Sequence, residues 1–207
     1  MDFDHWIAFV AASTVLLFIP GPTVLLVLGY ALAQGRRVAV ATVAGVALGD
    51  LVAMSASLAG LGTLVLASAE LFTLLKWLGA AYLVWLGIKL FRSPLPDVEA
   101  AGEGEVTARG VFGHAAVVTA LNPKSIVFFI AFVPQFVDPA AALGPQFVIM
   151  TATFVGLAAG NALVYALLAD QMRHRLLNPA ARRWMPRLGG GALIAMGVAT
   201  AAFRRGD

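Results

Sequence analysis

The sequence predicts an all-α integral membrane protein with six transmembrane helices arranged as two inverted three-helix repeats, the first helix of each half broken by proline. Three observations carry this prediction. Of 207 residues, 60% are hydrophobic and 12% charged, against roughly a quarter charged in an ordinary soluble domain. The apolar residues gather into six runs, and a bilayer span needs about 20 such residues. Motifs of the first half also return, in the same order, in the second.

The runs are His5–Ala33, Val38–Ala67, Leu71–Phe91, Gly110–Phe136, Ala142–Leu168 and Arg187–Phe203. The first carries Asp2 and Asp4 ahead of it and no Lys or Arg. It is longer than a signal peptide's apolar region of about 7–15 residues, so it is expected to stay as a membrane helix. Inside it, Pro20-Gly21-Pro22-Thr23 holds two prolines that no unbroken helix accommodates. The fourth run is interrupted by Asn122-Pro123-Lys124-Ser125. Asn is a preferred N-cap and Pro a preferred first helical residue, so a new helix is expected to start there, in mid-membrane. Between the third and fourth runs, Ser93 to Arg109 carries Pro94, Pro96, Asp97, Glu99, Glu103 and Glu105. Such a segment reads as a loop. The expected units are therefore residues 1–93, a cytoplasmic linker at 94–109, and residues 110–207.

Gly45–Asp50 in the second run matches Gly156–Asn161 in the fifth, and Leu78–Gly87 in the third matches Leu188–Gly197 in the sixth. With three spans per half, the halves face opposite ways, which is the inverted plan used for alternating access. Ten of the 14 basic residues flank the odd loops: Arg36, Arg37, Lys89, Arg92, Arg109, Arg173, Arg175, Arg182, Arg183 and Arg187. Loops 1, 3 and 5 are thus expected to be cytoplasmic and both termini outside. The pI near 9.7 follows from these topology signals and does not point to nucleic acid. Trp6, Trp77, Trp85 and Trp184 suit interfacial anchoring.

There is no cysteine, and His5, His114 and His174 are far apart near span ends. No disulfide, thiolate chemistry, metal site or cofactor is expected. Asp50 is the only acidic residue deep in a predicted span, where a carboxylate costs about 2.5–3.5 kcal/mol on insertion scales. It either pairs with Lys124 or Lys76 to lock the bundle, or holds a substrate ammonium or a coupling proton. Asn161 is its counterpart in the other half. Lys124 and Asn122, together with the helix start after Gly21-Pro22-Thr23, form the expected carboxylate site; the alternative is a capped kink whose lysine neutralises Asp50. Lys76 lies where its stem would snorkel to the interface, and Gln135 reads as a gate or a helix terminus. Pro20 and Pro123 mark the breaks. The Gly45/Gly49 and Gly156/Gly160 pairs are expected to pack helices closely within the bundle.

These residues resemble the lysine-exporter superfamily of bacterial amino-acid efflux proteins, in its homoserine/threonine-exporter branch. The likeness rests on Pro20–Pro22, Gly49-Asp50, the stretch from Lys76 to Gly87, Asn122–Ser125, Phe128-Phe129 and Pro134–Phe136, and it covers nearly the whole chain. It implies a multi-pass inner-membrane exporter of amino acids or close derivatives, driven by the proton motive force as an antiporter and forming a homodimer. Its partners would be an amino acid, a proton and the lipid bilayer. An exporter of divalent metals or other small solutes is the rival within transporters, although Lys124 repels cations. An intramembrane enzyme would need a nucleophile–base pair or a carboxylate dyad at depth, and the sequence places one carboxylate and no histidine there. The chain is therefore not expected to be an enzyme.

Overall fold

The structure is a computed structural model describing residues 2–19, 21–34, 38–67, 69–92, 107–138, 140–176 and 179–202. Only the backbone is described at 61–67, 69–72, 75–76, 170–176, 179–183 and 185. Among the described residues all regular structure is helical: α1 Phe3–Phe18, α2 Pro22–Gln34, α3 Ala39–Ala67, α4 Ala69–Arg92, α5 Ala108–Ala120, α6 Pro123–Val127, α7 Leu143–Leu176 and α8 Pro179–Ala202. A π-helical turn, Phe128–Phe132, and a 3-10 turn, Val133–Phe136, continue α6. The widening precedes Pro134, whose missing N–H leaves the carbonyl four residues back without its α-helical partner.

Both expected breaks occur. α1 and α2 are inclined at 55°, and α5 and the Pro123–Phe136 helix at 40°. Among the described residues, two single helices are long and apolar enough to cross a membrane, through Ala39–Gly60 and Leu143–Ala169, and the number rises to four if each bent pair is one span. α4 and α8 have 24 residues each, and part of each lies outside the residues whose side chains are described. The last helix starts at Pro179, well before the expected Arg187, and keeps Pro186 inside it. Hydropathy marks apolar residues, whereas the first turns of α8 are helical but basic. α5 likewise begins before the apolar run, because the Thr107 hydroxyl accepts from Gly110 N at 3.1 Å. Pro20, Arg36, Arg37 and the linker from 94 to 106 lie outside the described residues.

The interior is divided in two. One apolar cluster joins Phe9 and Leu16 of α1, Met54 and Leu58 of α3, and Leu83 of α4. It continues through Phe128, Phe129 and Phe132, and Phe154 and Leu193 complete it. The other joins Val24, Val27 and Tyr30 of α2, Val46 of α3, Val111 and Ala115 of α5, and Ala162, Tyr165 and Ala166 of α7. On α3 the boundary falls between Val46 and Ala53, and on α7 between Ala158 and Ala162. Asp50 and Asn161 therefore stand at the seam, as do both helix breaks.

Close backbone approach sets the pairings. A Cβ on Gly49 would lie 2.6 Å from the Ala116 carbonyl oxygen and 2.7 Å from Thr119 Cβ, so α3 lies directly on α5. The matching Gly156 and Gly160 meet nothing within 4 Å, so the expectation of close packing holds for the first pair alone. α8 packs along α4 with a reciprocal pattern. Gly87 faces Gly190 and Ile194, while its repeat counterpart Gly197 faces Ala80 and Val84, the counterparts of those two residues.

Candidate functional site

α6 starts as its residue types require. Asn122 is extended (φ −69°, ψ 109°), its side chain accepts from Lys124 N at 3.1 Å, and Pro123 takes the first helical position. The other end of the same amide donates to Thr23 Oγ1 at 3.1 Å. Thr23 in turn lies 3.3 Å from Thr119 Oγ1. One side chain thus caps α6 and ties it to α2, where Pro22 is the first residue and Thr23 the second.

Lys124 goes elsewhere than expected. Its ammonium donates to the carbonyls of Leu16 (3.1 Å) and Ile19 (2.8 Å), at the C-terminal end of α1. Leu16 O also accepts from Ile19 N at 3.2 Å, so the ammonium is a second donor there, and the partial negative charge of a helix C-terminus favours a cation at this place. Asn161 Nδ2 donates to Leu17 O at 3.2 Å and completes the closure of that end from α7. Gly21 leaves room for this: a Cβ there would stand 3.2 Å from Lys124 Nζ.

Asp50 is 2% exposed, and among the described residues no hydrogen bond or ion pair reaches its carboxylate. The expected lock between Asp50 and Lys124 is not made; the one ion pair among the described residues is His5 with Asp2. Both instead line a single cavity with Thr23, Asn122, Ser125 and Asn161. Val24, Val27, Val46, Ala158 and Tyr165 form its apolar walls. Its volume is about 20 Å³, room for about one water molecule and too little for an amino acid. Larger hollows of about 330 Å³ between α1 and α8, and about 390 Å³ between α3 and α7, are open and almost wholly apolar.

The structure therefore gathers Asp50, Asn122, Lys124, Thr23 and Asn161 at one place, beside Gly21 and the start of α2 at Pro22. Gln135 lies apart: its amide donates to Thr200 Oγ1 at 3.0 Å, fastening the 3-10 turn to α8. Lys76 belongs to α4, with its side chain outside the described residues. Sequence reasoning named Ser125 in the motif at the break but gave it no site role, and it passed over Thr119 and Tyr165. Thr119 and Ser125 flank the Asn122 break closely enough for that position to signal them, whereas Tyr165 carries no such mark.

A family model described as LysE type translocator matches residues 14–202. An "Uncharacterized membrane protein" of Vibrio cholerae is 33% identical over 204 residues, covering 99% of this chain and 100% of the relative. The "Homoserine/homoserine lactone efflux protein" of Salmonella typhimurium is 32% identical over 205 residues, covering 99% of each chain. The "Leucine efflux protein" of Salmonella choleraesuis is 34% identical over 152 residues, covering 72% of this chain and 71% of the relative. No solved structure matches. With nearly its whole length matched, and its buried polar residues at the breaks of two bent helices, the chain belongs to the LysE type translocator family.

Proposed function

We propose that this protein is a secondary active exporter of amino acids or close derivatives, working as a proton antiporter in the bacterial inner membrane. The observation that carries the reading is the cavity between two apolar clusters, into which Asp50 brings a carboxylate with no hydrogen bond or ion pair among the described residues. A buried ionisable group without a partner is costly in a membrane and marks a ligand or proton path. The efflux proteins among the relatives support an amino acid as cargo.

In this reading the six helices form two inverted repeats, residues 1–93 and 110–207, with both termini outside. The reciprocal packing of α4 and α8 supports such a relation. Asp50 receives the substrate ammonium or a proton, but not both at once, and that exclusion couples the two fluxes. The substrate carboxylate meets the start of α2 at Pro22 and Thr23, the Asn122 amide, and the N–H that Lys124 does not spend on α1. Asn161 holds the end of α1, and Pro123 and Gln135 keep the second broken helix in place. Because the cavity holds about one water, one apolar cluster must part for each loading step, and the two parting in turn give alternating access.

The energetics suffice. One proton entering down about 150 mV provides roughly 3.5 kcal/mol, and export of a neutral solute against a hundredfold gradient costs about 2.7 kcal/mol. A divalent cation is a poorer cargo, since the Lys124 ammonium lines the same cavity and hard cations want several oxygen ligands. The test is transport of labelled leucine, homoserine and threonine in proteoliposomes under an imposed pH gradient, with Asp50→Asn alongside. Gradient-dependent movement that requires Asp50 supports the proposal. Movement of none of a broad amino-acid panel, or equal activity in the Asn variant, refutes it.

A further inference from the structure

α2 is fastened on one side. Before Gln34 its hydrogen-bonding side chains are Thr23 and Tyr30, and both turn to the α5–α6 helix pair. Thr23 Oγ1 stands 3.3 Å from Thr119 Oγ1 and accepts from the Asn122 amide at 3.1 Å. Two turns further on, the buried Tyr30 hydroxyl meets Nδ1 of the exposed His114 at 2.7 Å, with the two rings edge to face. α5 in turn is locked on α3. A Cβ on Gly45 would strike the Phe112 carbonyl and lie 2.8 Å from Ala115 Cβ, and one on Gly49 would strike the Ala116 carbonyl.

The α7 side of α2 is different. Val24 and Val27 line the cavity together with Ala162 and Tyr165 of α7, and Ala166 and Ala169 continue the α7 surface within the same apolar cluster. The Tyr165 hydroxyl makes no hydrogen bond among the described residues. The polar ties of α7 go to α1 instead: Asn161 donates to Leu17 O, and Trp6 Nε1 donates to Thr153 Oγ1, each at 3.2 Å. Both lie at or before Asn161, so from 162 to 169 no described side chain of α2 ahead of Gln34 is hydrogen-bonded to α7. Apolar surfaces part without leaving a donor or acceptor unmet, whereas parting α2 from α5 would strand Thr23, Asn122 and Tyr30.

From this asymmetry, and resting on the transport reading above, we infer that α2 travels with α5 and α3 as one body, and that the second apolar cluster parts between α2 and the stretch of α7 after Asn161. Tyr30 and His114 are positioning residues that keep α2 on that body. α1 stays with α7 through Leu17 and Trp6, so the bend between α1 and α2, beside the Lys124 ammonium on Leu16 O and Ile19 O, is the pivot. The parting uncovers the Tyr165 phenol to whatever enters the cavity, and there it gains the partner it lacks.

The chain has no cysteine, so single cysteine substitutions report without background. Val27, Ala162 and Val111 are buried, none more than 3% exposed. The first two border the seam, and Val111 lies on α5 about one turn before His114 and Ala115, on the side that stays shut. Val27→Cys, Ala162→Cys and Val111→Cys are each treated with a charged thiol reagent in permeabilised membrane vesicles. Expected is modification of the first two and protection of the third, with Tyr30→Phe admitting the reagent to Val111→Cys as well. Bridging the Val27→Cys/Ala162→Cys double variant with a bifunctional thiosulfonate should abolish transport, and reduction should restore it. Protection of all three positions overturns the inference. So does modification of Val111→Cys as fast as Val27→Cys with Tyr30 intact, or full transport by the bridged protein, and continued protection of Val111→Cys beside Tyr30→Phe overturns the role given to Tyr30. The labelling needs no cargo: if the native chain moves no amino acid, the exporter reading fails while the reacting positions still decide the seam.

Discussion

Lys124→Met tests the arrangement at its tightest point. The substitution keeps a long apolar stem but removes the donor that serves Leu16 O at 3.1 Å and Ile19 O at 2.8 Å. A hydrogen bond to a charged group contributes about 1.5–3 kcal/mol, and an abandoned buried carbonyl costs about 1–3 kcal/mol. Against this loss, the variant no longer has to bury an ammonium. The balance is a net destabilisation of about 3 kcal/mol, roughly a 150-fold shift in the folding equilibrium. It also leaves the Asp50 carboxylate as the one charge lining the cavity. Asp50→Asn should therefore be worth about 1–3 kcal/mol more in the Met background than in the native chain. The assay is reversible unfolding in mixed micelles by titrated denaturing detergent, run on both single variants and the double. A Met variant within about 0.5 kcal/mol of the native chain, the scale of an inconsequential substitution, would refute the role given to Lys124. A double variant that is simply additive would refute its electrostatic link to Asp50.

Other outcomes follow from the same contacts. Gly49→Val drives a side chain against the Ala116 carbonyl and should cost more than about 2 kcal/mol in the same unfolding assay. Gly160→Ala, where a Cβ meets nothing within 4 Å, should be neutral or gain up to about 1 kcal/mol from helix propensity. Asn122→Ala removes both the α6 cap and the bond to Thr23, so a loss of about 1–2 kcal/mol is expected together with slower transport. At the chain's start, the His5 backbone N–H, and secondarily its ring, hold the Asp2 carboxyl below its usual value of 3.8. A lowered folded-state pKa means that this small contribution is present above the ordinary carboxylate range and lost as pH falls through the lowered value. The protection of the first-turn amides of α1, measured against their intrinsic exchange rates, should hold from neutral pH down and fall only as pH drops below that range.

The breaks were legible because their chemistry is local. Asn122-Pro123 spells an N-cap and a first helical residue, and Pro22 opens α2 in the same way. Asp50 was legible because a carboxylate at that depth has no cheap explanation. The partner of Lys124 was not legible. Opposite charge in the sequence suggests Asp50, but backbone carbonyls compete for an ammonium wherever a helix ends, and no residue type announces that the end of α1 lies beside Lys124. The unequal glycine pairs were hidden for a related reason. Gly45/Gly49 and Gly156/Gly160 are the same word in sequence, and only the crossing of α3 on α5 gives one of them a neighbour. The π-helical turn at Phe128–Phe132 was missed although Pro134 signals it, since a proline there reads equally well as a helix terminus.

In the sequence match between Gly45–Asp50 and Gly156–Asn161, Asn161 aligns with Asp50, and one functional group separates them. The amide of Asn161 has an N–H to give, and it gives it to Leu17 O, so that residue is consumed in closing the end of α1. A carboxylate at Asp50 has no such donor and cannot serve a carbonyl, and no other described group supplies it with one. Asp50 thus leaves an acceptor in the cavity beside both breaks that no described residue hydrogen-bonds. A water, an ammonium or a bound proton can each satisfy it, and on the proposed reading the last two compete for it in turn.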